Sequence, residues 1–138
     1  MSIYERYKSL AGRLRKVGGG IDFGELVTSQ LVDENGIPTG QHLIALDVDV
    51  PVIAVESTRP GHWHLYIDVA LDWERYEKLL RALADAGVLE PGCFAAAERR
   101  GYTALRTPWT LKEGHETEDR KARAAEWLAG VTNNAGTS

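Results

Sequence analysis

At 138 residues the chain has the length of one ordinary domain. Its 43% hydrophobic and 26% charged residues exclude a disordered acidic tail, a collagenous repeat and a polar low-complexity segment. The net charge of −4 argues against a protein that coats nucleic acid non-specifically, and no apolar run nears the ~20 residues that cross a bilayer, so no membrane partner is expected.

In chain order, residues 1–17 come first. They hold Arg6, Lys8, Arg13, Arg15 and Lys16 against Glu5 alone, a charge of +4 on a remainder of −8. Such a segment either touches phosphates or forms a solvated helix face. It has no apolar h-region, so it is not read as a secretory signal. Ile3, Tyr7, Leu10, Leu14 and Val17 recur at helical spacing, which predicts a helix over 3–17 ended by Gly18-Gly19-Gly20. Glu25–Val32 and His42–Val50 read as two strands of a hairpin around the turn-rich stretch Asp33–Gly40. Pro51 interrupts the second, and Val52–Val55 resume it. After the loop Ser57–Gly61, His62–Val69 reads as a third strand. Asp72 is a good N-cap for a helix over Trp73–Ala86 closed by Gly87, with Tyr76, Leu79, Leu80, Leu83 and Ala84 as its apolar stripe. A short helix over Phe94–Arg100, a short strand over Tyr102–Arg106 and an amphipathic helix over Thr117–Gly130 follow. Residues 132–138 read as a frayed tail.

This order predicts one α+β domain over residues 1–131. Its core would be an antiparallel sheet of about four strands with helices packed on one face, ferredoxin-like or RNA-recognition-motif-like. The single cysteine, Cys93, excludes a disulfide framework within one chain and fits a reducing cytoplasm; it reads as a small buried or half-buried residue. His42 and His115 read as surface positions. Trp73, Trp109 and Trp127 read as packing residues, with Trp109 beside Arg106 and Lys112 also able to stack a base.

The chemistry-bearing stretch is residues 42–69. Side chains on a strand alternate between faces. Ile44, Leu46, Val48 and Val50 share one face, with Asp47 and Asp49 on the other. Trp63, Leu65, Ile67 and Val69 share one face of the later strand, with His62, His64, Tyr66 and Asp68 opposite. If the two strands are neighbours, Asp47, Asp49 and His64 converge. Two carboxylates at i and i+2 repel unless a cation or solvent separates them, and Mg²⁺ or Mn²⁺ suits such hard oxygen ligands. A solvent-facing sheet face accounts for the same polar pattern.

Glu56-Ser57-Thr58-Arg59-Pro60-Gly61-His62-Trp63-His64-Leu65-Tyr66 resembles the second motif of the archaeo-eukaryotic primase superfamily, in particular its plasmid- and phage-type primase-polymerases. Leu46-Asp47-Val48-Asp49-Val50 resembles that superfamily's first motif. Leu105-Arg106-Thr107-Pro108-Trp109-Thr110-Leu111-Lys112 is similar to the segment near the end of its catalytic domains. The three occur in the family's order, across residues 43–112. The resemblance implies a small DNA-replication protein of phage or plasmid type, with nucleic acid, a nucleoside triphosphate and a host or replication protein as partners. It implies metal-dependent nucleotidyl transfer with Mg²⁺ or Mn²⁺ on Asp47 and Asp49 and with His64 at the phosphates. Ser57, Arg59 and the loop amides would cradle phosphate, and Arg106 and Lys112 would pair with phosphate charge. The chain departs from the family in having Trp109 after Pro108 and no hydrophobic-Asp strand after the helix. Glu90, Glu98 or Asp68 would have to stand in for the third carboxylate.

His62-Trp63-His64 also resembles the His-hydrophobe-His strand of the HUH endonucleases. That resemblance implies a divalent ion on His62 and His64, with Tyr76 as the nucleophile of DNA nicking. A third reading is a non-catalytic module that binds nucleic acid or a host protein.

Overall fold

The computed structural model describes residues 2–20, 24–57, 59–110 and 117–135. Their order is α1 (Ile3–Ala11), β1 (Leu14–Gly20), β2 (Gly24–Val32), β3 (Pro38–His42), β4 (Val52–Glu56), β5 (Trp63–Ile67), α2 (Trp73–Asp85), α3 (Pro91–Arg100) and α4 (Glu118–Ala135). The class is α+β with small antiparallel sheets. The strands divide into a three-stranded sheet, β1-β2-β3, and a two-stranded sheet, β4-β5, where one sheet of about four strands is expected from sequence. The chain forms two compact units, residues 1–48 and 49–138.

In the first unit α1 starts on a capping box: the Ser2 hydroxyl accepts from Glu5 N–H, and the Glu5 carboxylate accepts from Ser2 N–H. The helix stops at Gly12, six residues short of the triple glycine that the stripe of apolar residues points to. Residues 14–20 turn into β1 because β2 offers a ladder: Leu14 pairs with Leu31, Val17 with Leu26 and Gly18 with Glu25. Isolated helix periodicity is a weak force beside such pairing. The glycines lie inside the strand. Gly18 has φ +89°, and a Cβ there would sit 2.5 Å from the Gly24 carbonyl oxygen, so only glycine lets the strands approach. Ala11 and Leu14, at 5% and 6% exposure, are the buried core residues among the described residues of this unit.

The β2–β3 turn is set by Asp33, whose Oδ1 accepts from Asn35 N–H and Ile37 N–H, both at 2.9 Å. The second strand of this hairpin is Pro38–His42, which takes in part of the stretch expected to turn, and the strand expected over His42–Val50 does not form beyond His42. Leu43 N–H still reaches Ser29 O at 2.8 Å, but residues 43–48 are irregular. Alternating side chains alone do not make a strand when no neighbouring backbone carries the ladder on.

In the second unit Asp72 caps α2, its Oδ1 accepting from Arg75 N–H at 2.8 Å. Gly101, in the left-handed region, closes α3. Arg81 ties the two helices together: its Nη2 lies 3.0 Å from Glu98 Oε2 and 3.3 Å from Glu77 Oε1, and its guanidinium lies over the Phe94 ring. Leu80 and Ala97 are buried beside this contact, at 5% and 1% exposure. The strand expected over Tyr102–Arg106 does not form. Its residues spend their contacts on α2 and α3: the Tyr102 ring lies under Arg100, and Thr103 Oγ1 is 2.8 Å from Tyr76 Oη. The last helix runs on to Ala135, through residues expected to fray. No described helix is long and apolar enough to cross a membrane.

Candidate functional site

The β4–β5 hairpin carries the densest set of chemistry-bearing side chains. Its register pairs Val52 with Ile67, Ile53 with Tyr66, Ala54 with Leu65, Val55 with His64 and Glu56 with Trp63. Paired residues of an antiparallel ladder share a face. His64 and Tyr66 therefore lie with Val55 and Ile53, and Trp63, Leu65 and Ile67 lie with Glu56, Ala54 and Val52. The alternation expected from sequence is thus present. The ladder runs one step further at each end, through Ser57 N–H to His62 O at 2.8 Å and Asp68 N–H to Pro51 O at 2.9 Å. Ser57, His62, His64, Tyr66 and Asp68 fall on one face by that parity.

The loop at the hairpin's tip is tight. His62 N–H donates to Arg59 O at 3.2 Å across Pro60 and Gly61, and Gly61 has φ +81°. Proline then a left-handed glycine at the two centre positions is the signature of a type II turn. Ser57 Oγ accepts from Arg59 N–H at 3.1 Å, fixing the entry to the turn. The loop thereby presents the Arg59 side chain at a corner and His62 at the start of β5. Both line a cavity of about 420 Å³ whose far wall is the α2–α3 turn, with Val88, Leu89, Glu90 and Pro91. Such a wall offers two cationic or hydrogen-bonding groups on one side and an apolar surface on the other, with one carboxylate at its rim.

Other predicted site residues are placed less closely. The strand beside β5 is Val52–Glu56, not residues 43–50, so the ladder does not carry Asp47 and Asp49 alongside His64. Both aspartates are exposed; Asp47 is the last residue but one of the first unit and Asp49 opens the second. Among the described residues no three His, Cys, Asp or Glu side chains are gathered as a metal ion requires. Arg106 is exposed on an irregular stretch. Thr58, Lys112 and His115 lie outside the described residues.

Tyr76, the candidate nucleophile, is half-buried. Its hydroxyl bonds Thr103 and its ring meets Trp73 edge-on at 5.9 Å between centroids. Cys93 is exposed, where a buried or half-buried position is expected; it sits in the first turn of α3 with Sγ 3.9 Å from Glu90 Oε2. His42 is on the surface as expected, its Nδ1 2.8 Å from Ser29 Oγ. One contact at the loop has no signal in the local sequence. Arg123 of α4 reaches back 66 residues to the Ser57 carbonyl at 3.4 Å. Only the tertiary fold brings it there. Compared with known proteins, the chain matches no family model, no curated protein and no solved structure.

Proposed function

We propose that the chain is a small replication-type nucleic-acid protein with a primase-polymerase-like, RNA-recognition-motif-like core, and that the β4–β5 hairpin is its nucleotide-phosphate element. The observation that carries the reading is the Ser57–His64 segment. A serine-capped type II turn puts Ser57, His62 and His64 on one hairpin face, with Arg59 and His62 at a cavity of about 420 Å³. A guanidinium and imidazoles beside preorganised backbone are the groups that bind phosphate oxygens, and an apolar opposite wall suits a base or sugar.

Nucleotidyl transfer also calls for Mg²⁺ or Mn²⁺. Asp47 and Asp49 are the right donors for a hard cation. They do not form a three-ligand group with a third described side chain. On this reading the nucleotide's phosphate oxygens complete the metal's shell, so metal binding depends on nucleotide. Calorimetric titration of Mn²⁺ into the wild type and the Asp47→Ala/Asp49→Ala variant, each with and without nucleoside triphosphate, tests it. The expected result is heat from the wild type with nucleotide present, lost in the variant. A folded wild type silent in both conditions overturns the reading.

The shared face of His62 and His64 favours DNA nicking as the second reading. A strand-nicking assay beside primer extension separates the two.

A further inference from the structure

In a regular antiparallel ladder a residue pair that bonds Ser57 N–H to His62 O would also bond His62 N–H back to Ser57 O. Here His62 N–H is turned to Arg59 O instead, which is what makes the loop tight. The Ser57 carbonyl has therefore lost its reciprocal donor. Arg123 of α4 supplies one, with Nη1 3.4 Å from Ser57 O and 4.0 Å from Glu56 Oε1. Both contacts are long, and the Arg123 and Glu56 side chains are 38% and 32% exposed, so neither adds much to global stability. What they control is direction. An orphaned carbonyl at the loop's entry can rotate, and with it the hydroxyl that holds Arg59 N–H.

We infer that Arg123 is a positioning residue for the hairpin loop: α4 holds the Ser57 carbonyl, and thereby keeps Ser57, Arg59 and His62 set for an anionic ligand. The loop's order follows from the ligand-free contacts alone; its consequence for ligand affinity rests on the nucleotide-phosphate reading above.

The test uses the full chain as wild type, Arg123→Ala, Arg123→Lys and Lys121→Ala. Lys121, paired with Glu118 at 3.7 Å, removes the same charge from the same helix without touching the loop. Amide hydrogen exchange without ligand is read at Ser57, Arg59 and His62, with the α2 amides as reference. Arg123→Ala should raise loop exchange by about fivefold or more with α2 unchanged. Arg123→Lys should restore part of the protection, and Lys121→Ala should change nothing. Equal exchange in Arg123→Ala and wild type, or a rise shared by α2, overturns the inference.

Affinity for ATP with Mn²⁺ is measured on the same proteins and should fall in Arg123→Ala but not in Lys121→Ala. An equal fall in both variants assigns the effect to net charge, and no fall in either shows that the contact positions nothing the ligand uses; either outcome overturns the ligand half. A wild type that binds no ATP while the exchange pattern holds removes the nucleotide reading and leaves Arg123 as the loop's positioning residue.

Discussion

Two glycines show how differently a residue can be required. Gly61 has φ +81° with open space around its missing Cβ, so Gly61→Ala meets only the backbone's aversion to that conformation. It should cost about 1–2 kcal/mol, read as a lower urea midpoint with an unchanged slope. Gly18 has a comparable φ, and its Cβ would meet the Gly24 carbonyl at 2.5 Å, a backbone atom that cannot swing aside. Gly18→Ala should therefore destabilise more than Gly61→Ala, and a smaller effect in the same titration would show that β1 can shift along β2. Tyr76 is a third case. Its hydroxyl already bonds Thr103, so Tyr76→Phe should cost about 0.5–1.5 kcal/mol and leave any strand-nicking activity intact. Loss of nicking with stability retained would make Tyr76 a nucleophile after all.

At the scale of elements, what was legible in the sequence is what local chemistry decides. The α2 N-cap is one aspartate in the right place, and Asp72→Ala should cost about 1 kcal/mol in the same denaturation experiment, because Arg75 N–H loses its acceptor at 2.8 Å. The end of α3 at Gly101 and the alternation of His62–Ile67 are equally local, and both are present. The misread elements depend on partners distant in sequence. Ile3–Val17 keeps a helical stripe throughout, yet residues 14–20 follow β2, because pairing along a ladder outweighs the small advantage of a few more helical turns. Residues 43–50 alternate as a strand should and find no continuing ladder. Tyr102–Arg106 fails for the same reason, with Tyr102 and Thr103 drawn to side chains of α3 and α2. The candidate site divides in the same way. The Ser57–His64 turn was readable because proline, glycine and serine specify it within six residues, whereas Arg123 was not, since nothing near residue 123 refers to residue 57.

At the scale of the molecule the governing quantity is charge. Residues 1–17 carry +4 in a chain of net charge −4, so a nucleic acid that used every basic residue on offer would bind with a steep salt dependence. Part of that segment is already engaged: Lys16 lies 3.7 Å from Glu25, and Arg15 donates to Gln30 Oε1 at 2.9 Å. The phosphate contacts that the primase resemblance implies are instead Arg59, Arg106 and Lys112, in the more acidic part of the chain. Three cations on single-stranded nucleic acid give a slope of log K against log salt of about −2, since each neutralised phosphate contributes roughly −0.7. The five N-terminal cations alone would give a slope of about −3.5, and all eight together about −5.6. Fluorescence anisotropy of a labelled single-stranded oligonucleotide across a salt series measures this directly. A slope near −2 that flattens in Arg59→Ala is the expected outcome. A slope of about −3.5 that Arg59→Ala leaves almost unchanged would move the nucleic-acid contact to the basic N-terminal segment and leave the hairpin with the nucleotide alone.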